Sequence, residues 1–127
     1  MTTVVLVAFL VLHGLLHLVI WVPRPEVARV EAPPFEPDHS AVLSRAVPET
    51  AVHQLSLLLA GGAAATYVLA GIGVALGAAW TVPVAVVAAG LGMVLKGLYF
   101  NPWLSVGVLL DLGVLLAAVA EWPVALS

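Results

Sequence analysis

Two histidines lie four residues apart in an otherwise apolar stretch, His13-Gly14-Leu15-Leu16-His17. Residues at this spacing share one face of a helix, so both imidazoles point the same way. Such a pair can chelate a metal ion or orient a haem or a quinone. It can equally hydrogen-bond to neighbouring helices, which is an ordinary role for polar side chains inside membrane proteins. The spacing alone leaves both interpretations open.

Three further ionisable residues have apolar neighbours along the chain: His53, Lys96 and Asp111. The helical rise per residue puts Asp111 at nearly the same depth as His13. Ionisable groups inside a membrane usually face the protein interior and meet a partner there. We therefore expect Asp111 to pair with His13 or Lys96, unless Lys96 extends to the cytoplasmic surface. The pair could be purely structural, while His13, His17 and His53 are the candidate ligands for a metal.

The composition places these residues in a membrane. Of the 127 residues, 63% are hydrophobic and 9% are charged, whereas a soluble domain has about 45–50% apolar and 25% charged residues. A net charge of −3 offers no basic surface for nucleic acid. Without cysteine, the chain forms no disulfide and offers no thiolate for catalysis or metal binding. The sequence also has no Gly-rich phosphate loop and no nucleophile motif, so an enzyme is not favoured.

Four apolar spans each approach the ~20 residues needed to cross a bilayer. They cover about 3–22, 49–75, 81–100 and 102–122, and a polar connection occupies 23–48. Thr81 and Asn101 are predicted helix caps. All four tryptophans, Trp21, Trp80, Trp103 and Trp122, lie at predicted span ends, where interfacial aromatics are favoured. The first span lacks the basic start of a signal peptide, so we expect it to be retained. The sequence thus predicts one all-α transmembrane domain over 1–127, an integral membrane four-helix bundle with a long polar connection between helices 1 and 2.

The basic residues predict the orientation in the cytoplasmic membrane. Arg24, Arg29 and Arg45 lie in the connection, and Lys96 lies near the end of the third span. With four spans, these positions face the same side, and Lys and Arg favour the cytoplasm. We therefore expect the 23–48 connection to be cytoplasmic and both termini to lie outside.

Small residues recur where helices could pack closely. The second span contains Ala60-Gly61-Gly62-Ala63-Ala64-Ala65, and small residues let membrane helices approach each other. We expect Gly61 and Gly62 to lie at a helix contact, so that replacing either with Leu weakens the bundle. Gly107, one turn before Asp111, should admit a neighbouring helix. In the connection, Ser40 is expected to cap a short helix over 41–46, with Val42 and Leu43 pointing inward.

The chain resembles a group of small four-span inner-membrane proteins of bacteria, many of them actinobacterial. The resemblance rests on the His-Gly-x-x-His first helix, the polar proline-containing connection, and Asn101-Pro102-Trp103 followed by Gly107 and Asp111. It implies a bacterial inner-membrane location and the four-helix fold, and it implies no particular activity.

Three classes of function fit these observations. The favoured one is a non-enzymatic accessory subunit without a cofactor, whose partners are the bilayer and a larger membrane complex or a second copy of itself. The second is a protein that binds haem, a quinone, a metal or another small molecule through His13, His17 and His53. The third is an oligomeric proton-linked transporter or channel that uses Asp111 and His13 as a relay.

Overall fold

Helices account for most of the backbone that the structure describes. The computed structural model describes residues 1–22 and 39–121. Within them lie four α-helices and one 3₁₀ turn: α1 (Thr2–Trp21), α2 (Glu49–Leu76), α3 (Thr81–Leu98), the 3₁₀ turn (Pro102–Leu104) and α4 (Ser105–Val119). The described residues contain no strand. The predicted all-α fold is confirmed, and α1, α2, α3 and the Pro102–Val119 segment are each long and apolar enough to cross a membrane.

Local chemistry explains where the helices end. Val22, just before Pro23, leaves the helix for an extended conformation, as residues that precede proline commonly do. Gly77 closes α2 in the left-handed region, with φ of 61°, and the Ala78 N–H donates to the carbonyl of Gly73 at 2.9 Å. This Schellman closure suits glycine because a Cβ is disfavoured at positive φ.

Two predicted helix starts differ from the structure. Asn101 does act as a cap, because its side chain accepts a hydrogen bond from the Trp103 N–H at 3.0 Å. However, it caps the 3₁₀ turn, so α4 begins at Ser105 and ends at Val119, inside the predicted span of 102–122. Thr81 is not a cap, since its hydroxyl donates to the Ala78 carbonyl at 2.7 Å and is used within the turn before α3.

The helices contact one another in the order of the chain. Close backbone contacts join α1 to α2, α2 to α3 and α3 to α4, whereas the backbones of α1 and α4 hardly approach each other. Two buried apolar clusters fill the interior. The first apolar cluster lies towards the α2–α3 turn and contains Leu10, Tyr67, Ala70, Val74, Ala85, Ala88, Ala89, Val114 and Ala118. The second apolar cluster lies towards the connection and contains Trp21, Val52, Ala60, Leu95, Tyr99 and Leu104.

Glycines permit close helix contacts, but Gly61 and Gly62 are not among the positions that make them. A Cβ on Gly61 would meet nothing within 4 Å, and one on Gly62 would meet only Leu91, at 3.5 Å. A Cβ at either position would therefore be tolerated, and the weakening expected from leucine stays a prediction. One tight contact between α1 and α2 is at Gly14, where a Cβ would lie 2.7 Å from the Tyr67 Cβ and 3.1 Å from the Ala64 carbonyl oxygen.

The last part of the connection packs against the end of α3. The fully buried Ser40 accepts a hydrogen bond from the Leu43 N–H at 3.1 Å and donates its own to the Leu98 carbonyl at 2.5 Å. Residues 41–46 form turns rather than the predicted short helix. Leu43 packs against the second apolar cluster, as expected, whereas Val42 is 63% exposed, so the inward placement predicted for it is wrong.

The tryptophans do not share one environment. Trp80 and Trp103 remain exposed at span ends, as predicted for interfacial residues, but Trp21 is buried in the bundle. Trp122 lies outside the described residues, as do residues 23–38 of the predicted polar connection.

Candidate functional site: a buried polar layer

Asp111 lies at the centre of a polar group to which all four helices contribute. Its Oδ1 accepts hydrogen bonds from His13 Nε2 at 2.7 Å and from the Tyr67 hydroxyl at 2.6 Å. Its Oδ2 accepts from Lys96 Nζ at 2.7 Å. The side chain of Asp111 is fully buried, so these three donors replace the water that a carboxylate otherwise requires. The predicted partners of Asp111, His13 and Lys96, are both confirmed.

Lys96 extends this group to the second histidine of α1. Its Nζ lies 2.7 Å from His17 Nε2 as well as from Asp111. His17 in turn donates from Nδ1 to the His13 backbone carbonyl at 3.0 Å. Lys96 therefore points into the bundle and does not extend to the surface. We refer to these five residues, His13, His17, Tyr67, Lys96 and Asp111, as the polar layer.

The hydrogen-bond partners assign the proton positions in the polar layer. His17 donates from Nδ1, so its Nε2 is free to accept from the Lys96 ammonium. His13 donates from Nε2 to the carboxylate, and its buried Nδ1 has no hydrogen-bond partner among the described residues. A bare acceptor there costs less than an unpaired N–H on an imidazolium would. We therefore assign two neutral histidines of opposite tautomer and one ion pair, Lys96–Asp111.

Aromatic rings hold the two imidazoles in position. Phe9 stacks on His13 with ring centroids 5.6 Å apart, and Trp21 stacks on His17 at 6.3 Å. Tyr67 lies edge-on to His13 and stacked on His17, at 4.8 and 5.7 Å. These contacts follow from the sequence, because positions 9, 13, 17 and 21 fall on one helical face. The aromatic contacts therefore restrict the rotation of both imidazoles.

Two glycines make room for the charged side chains. A Cβ on Gly92 would lie 2.5 Å from Asp111 Oδ2, so the carboxylate packs directly on the backbone of α3. A Cβ on Gly107 would lie 2.6 Å from Lys96 Cε, so the lysine stem crosses the backbone of α4. The role predicted for Gly107, admitting a neighbour beside Asp111, is confirmed. Asp111 of α4 thus packs against α3, and Lys96 of α3 packs against α4.

The sequence-based set of candidates is only partly brought together. His13, His17, Lys96 and Asp111 meet in the polar layer, whereas His53 does not join it. His53 lies 14 residues before Tyr67 on the same helix, which is about 21 Å along the axis. His53 is the fifth residue of α2, which has 28 residues against 20 in α1, so it lies near the end of α2 that follows the connection.

Tyr67 belongs to the polar layer and was not among the predicted site residues. Its hydroxyl donates to Asp111. One available signal was its position, since it is the single aromatic residue in the second span and lies on a face otherwise formed by Ala60, Ala63 and Ala70. A large residue on a small-residue face marks the place where another helix leaves space.

The arrangement also bears on which ligands the histidines could hold. One ligand atom from each of His13, His17 and Asp111 lies within 4.8 Å of the others, as a metal site requires. However, both Nε2 atoms are already engaged, one with Asp111 and the other with Lys96. A haem iron or a metal would have to displace one of these partners. Nδ1 of His13 is the buried ring atom of the polar layer that stays unengaged.

Comparisons of the chain with protein-family models, with curated proteins and with solved structures found no match. The geometry of the polar layer and its surroundings therefore carries the functional argument.

Proposed function

We propose that this multi-pass membrane protein is a non-enzymatic accessory subunit that binds a larger membrane protein through its lipid-facing helices. In this role the polar layer keeps the four helices in one arrangement. The observation that carries the proposal is the closure of the layer. The hydrogen bonds described for its side chains all end within the layer or on the backbone of His13.

The surroundings of the polar layer support a structural role. It is enclosed by the first apolar cluster on one side and the second on the other. Hydroxyls of α2 and of the α3 end do not extend it, since Thr66 donates to the Gly62 carbonyl, Ser56 to the His53 carbonyl and Tyr99 to the Val52 carbonyl. A transport path needs polar groups that lead towards both membrane surfaces. A single polar layer between apolar layers instead resembles the buried polar residues that specify helix register.

The outer surface offers wide apolar faces for a partner. In the windows of highest hydropathy, α1 and the Pro102–Val119 segment each bury only 22% of their residues, against 44% for α2. Exposed side chains on these two outer helices include Leu12 at 62% and Leu109 at 66%. A subunit of one small bundle can present such faces to a larger protein while its own interior remains closed.

Site-specific photo-cross-linking in native membranes tests the accessory role. A photoreactive residue at Leu12, Leu58, Val87 or Leu109 samples one exposed position on each of the four helices. We expect a discrete protein adduct from one face and not from the opposite face, and migration in mild detergent at a mass well above that of a monomer or dimer. Adducts only with lipid or with itself at all four positions, together with migration as its own monomer or dimer, would contradict the proposal.

A proton-linked transporter is the second candidate, favoured by the unpartnered Nδ1 of His13. Such an atom could accept a proton while His13 Nε2 passes its own proton to Asp111 Oδ1. The test is proton flux into liposomes under an imposed pH gradient. The accessory role predicts no flux above that of empty vesicles, whereas a transporter predicts flux that disappears in Asp111→Asn.

We further propose that the bundle lies in the bacterial cytoplasmic membrane with its connection in the cytoplasm. The chain has no cysteine, so single cysteines can be placed at Pro37 in the connection and at Ala79 beside the α2–α3 turn. A membrane-impermeant maleimide should label Ala79→Cys in intact cells and Pro37→Cys only after permeabilisation, because Arg and Lys favour the cytoplasmic side. The reverse labelling pattern would contradict the proposal, because it would place the connection outside the cell.

A further inference from the structure

His17 is arranged as metal-binding histidines are. Its Nδ1–H donates to the His13 backbone carbonyl at 3.0 Å, which leaves the Nε2 lone pair pointing into the bundle. Metal-ligating histidines typically hold their second nitrogen in this way, since a carbonyl acceptor fixes the tautomer and the ring orientation. The His17 ring also stacks against both Tyr67 and Trp21. His17 therefore presents a fixed lone pair in a buried site.

A cation already occupies the position at which that lone pair is aimed. Lys96 Nζ lies 2.7 Å from His17 Nε2 and 2.7 Å from Asp111 Oδ2. His13 Nε2 binds the other oxygen of the same carboxylate. Two imidazoles and one carboxylate, with water as a fourth ligand, form a donor set that zinc uses, and the spacing of four residues between the histidines is that of helical zinc-binding pairs.

We propose that His13, His17 and Asp111 have the arrangement of a divalent-metal site, and that the ammonium group of Lys96 occupies the place of the metal ion. The lysine balances the charge of Asp111 and blocks the lone pair of His17, so the native protein takes up no zinc at these residues. Removing the lysine leaves the ligand atoms and frees the space along Gly107 that its stem fills. The site then accepts a zinc ion, and His13 binds through Nε2 once its ring proton moves to Nδ1, which has no partner among the described residues.

The test compares zinc binding by three proteins purified metal-free in mild detergent: the native chain, Lys96→Ala, and Lys96→Ala combined with His17→Ala. We expect Lys96→Ala to bind one zinc ion per chain with a rise in Tm, and its cobalt form to show the visible absorption of a tetrahedral site. The native chain and the double variant should show neither effect. The double variant also controls for zinc held by His39, His53 or the amino terminus.

The remaining outcomes also decide for or against the proposal. Folded Lys96→Ala that binds no zinc would show that the ligands do not form a metal site. Zinc binding by the native chain that disappears in His17→Ala would show that Lys96 does not exclude metal. If metal-free Lys96→Ala does not fold, expression with added zinc decides. Recovery of folded protein that carries one zinc supports the proposal, and failure to recover it overturns the proposal.

Discussion

Replacing Asp111 with alanine is expected to lower the free energy of unfolding by about 3–5 kcal/mol, the usual cost of removing one partner of a buried ion pair. The loss is large because the Lys96 ammonium would remain buried without its counter-ion. His13 and Tyr67 would also lose their acceptor. Unfolding by SDS in mixed detergent micelles measures the change.

A double-mutant cycle separates the buried charge from the lost hydrogen bonds. Lys96→Met removes the ammonium and keeps an unbranched side chain beside Gly107. We expect Asp111→Ala combined with Lys96→Met to be more stable than Asp111→Ala alone, since no unpaired charge remains. If the two losses simply add, the lysine and the aspartate do not form the ion pair described here.

Replacing Gly92 with alanine is expected to destabilise the bundle by about 1–3 kcal/mol, the typical cost of overpacking a close contact. The new Cβ would lie 2.5 Å from Asp111 Oδ2 and 2.8 Å from Asp111 Cγ. The carboxylate would have to leave the backbone of α3, which would disturb its bonds to Lys96 and His13. Thermal unfolding in mild detergent, followed by circular dichroism, detects the change.

Gly90 provides the matched control on the same helix. A Cβ there would meet nothing within 4 Å, so Gly90→Ala should be neutral or should stabilise by up to about 1 kcal/mol through the better helix propensity of alanine. Equal losses from Gly90→Ala and Gly92→Ala would mean that the carboxylate does not rest on α3. A loss confined to Gly92→Ala supports the contact between α3 and α4 described here.

The four helices were predictable from the sequence because their cause is local. Each span needs enough consecutive apolar residues to cross a bilayer, and prolines and glycines occur where the helices begin or end. The pairing of His13 with Asp111 was also predictable, since helical rise converts residue number into depth and a buried carboxylate needs a donor. These inferences use only spacing along single helices.

The tertiary structure alone decided which residues share the site and which glycines matter. His53 is excluded because it lies about 21 Å along α2 from Tyr67. The level at which α2 meets the other helices is a relation between helices that spacing along one chain segment does not contain. Gly61 and Gly62 belong to a small-residue run, yet the bundle uses Gly14 and Gly92, because helix rotation determines which backbone faces a partner. The contact of the Lys96 ammonium with both Asp111 and His17 was also decided by the tertiary structure. It depends on the rotation and the depth of three helices relative to one another.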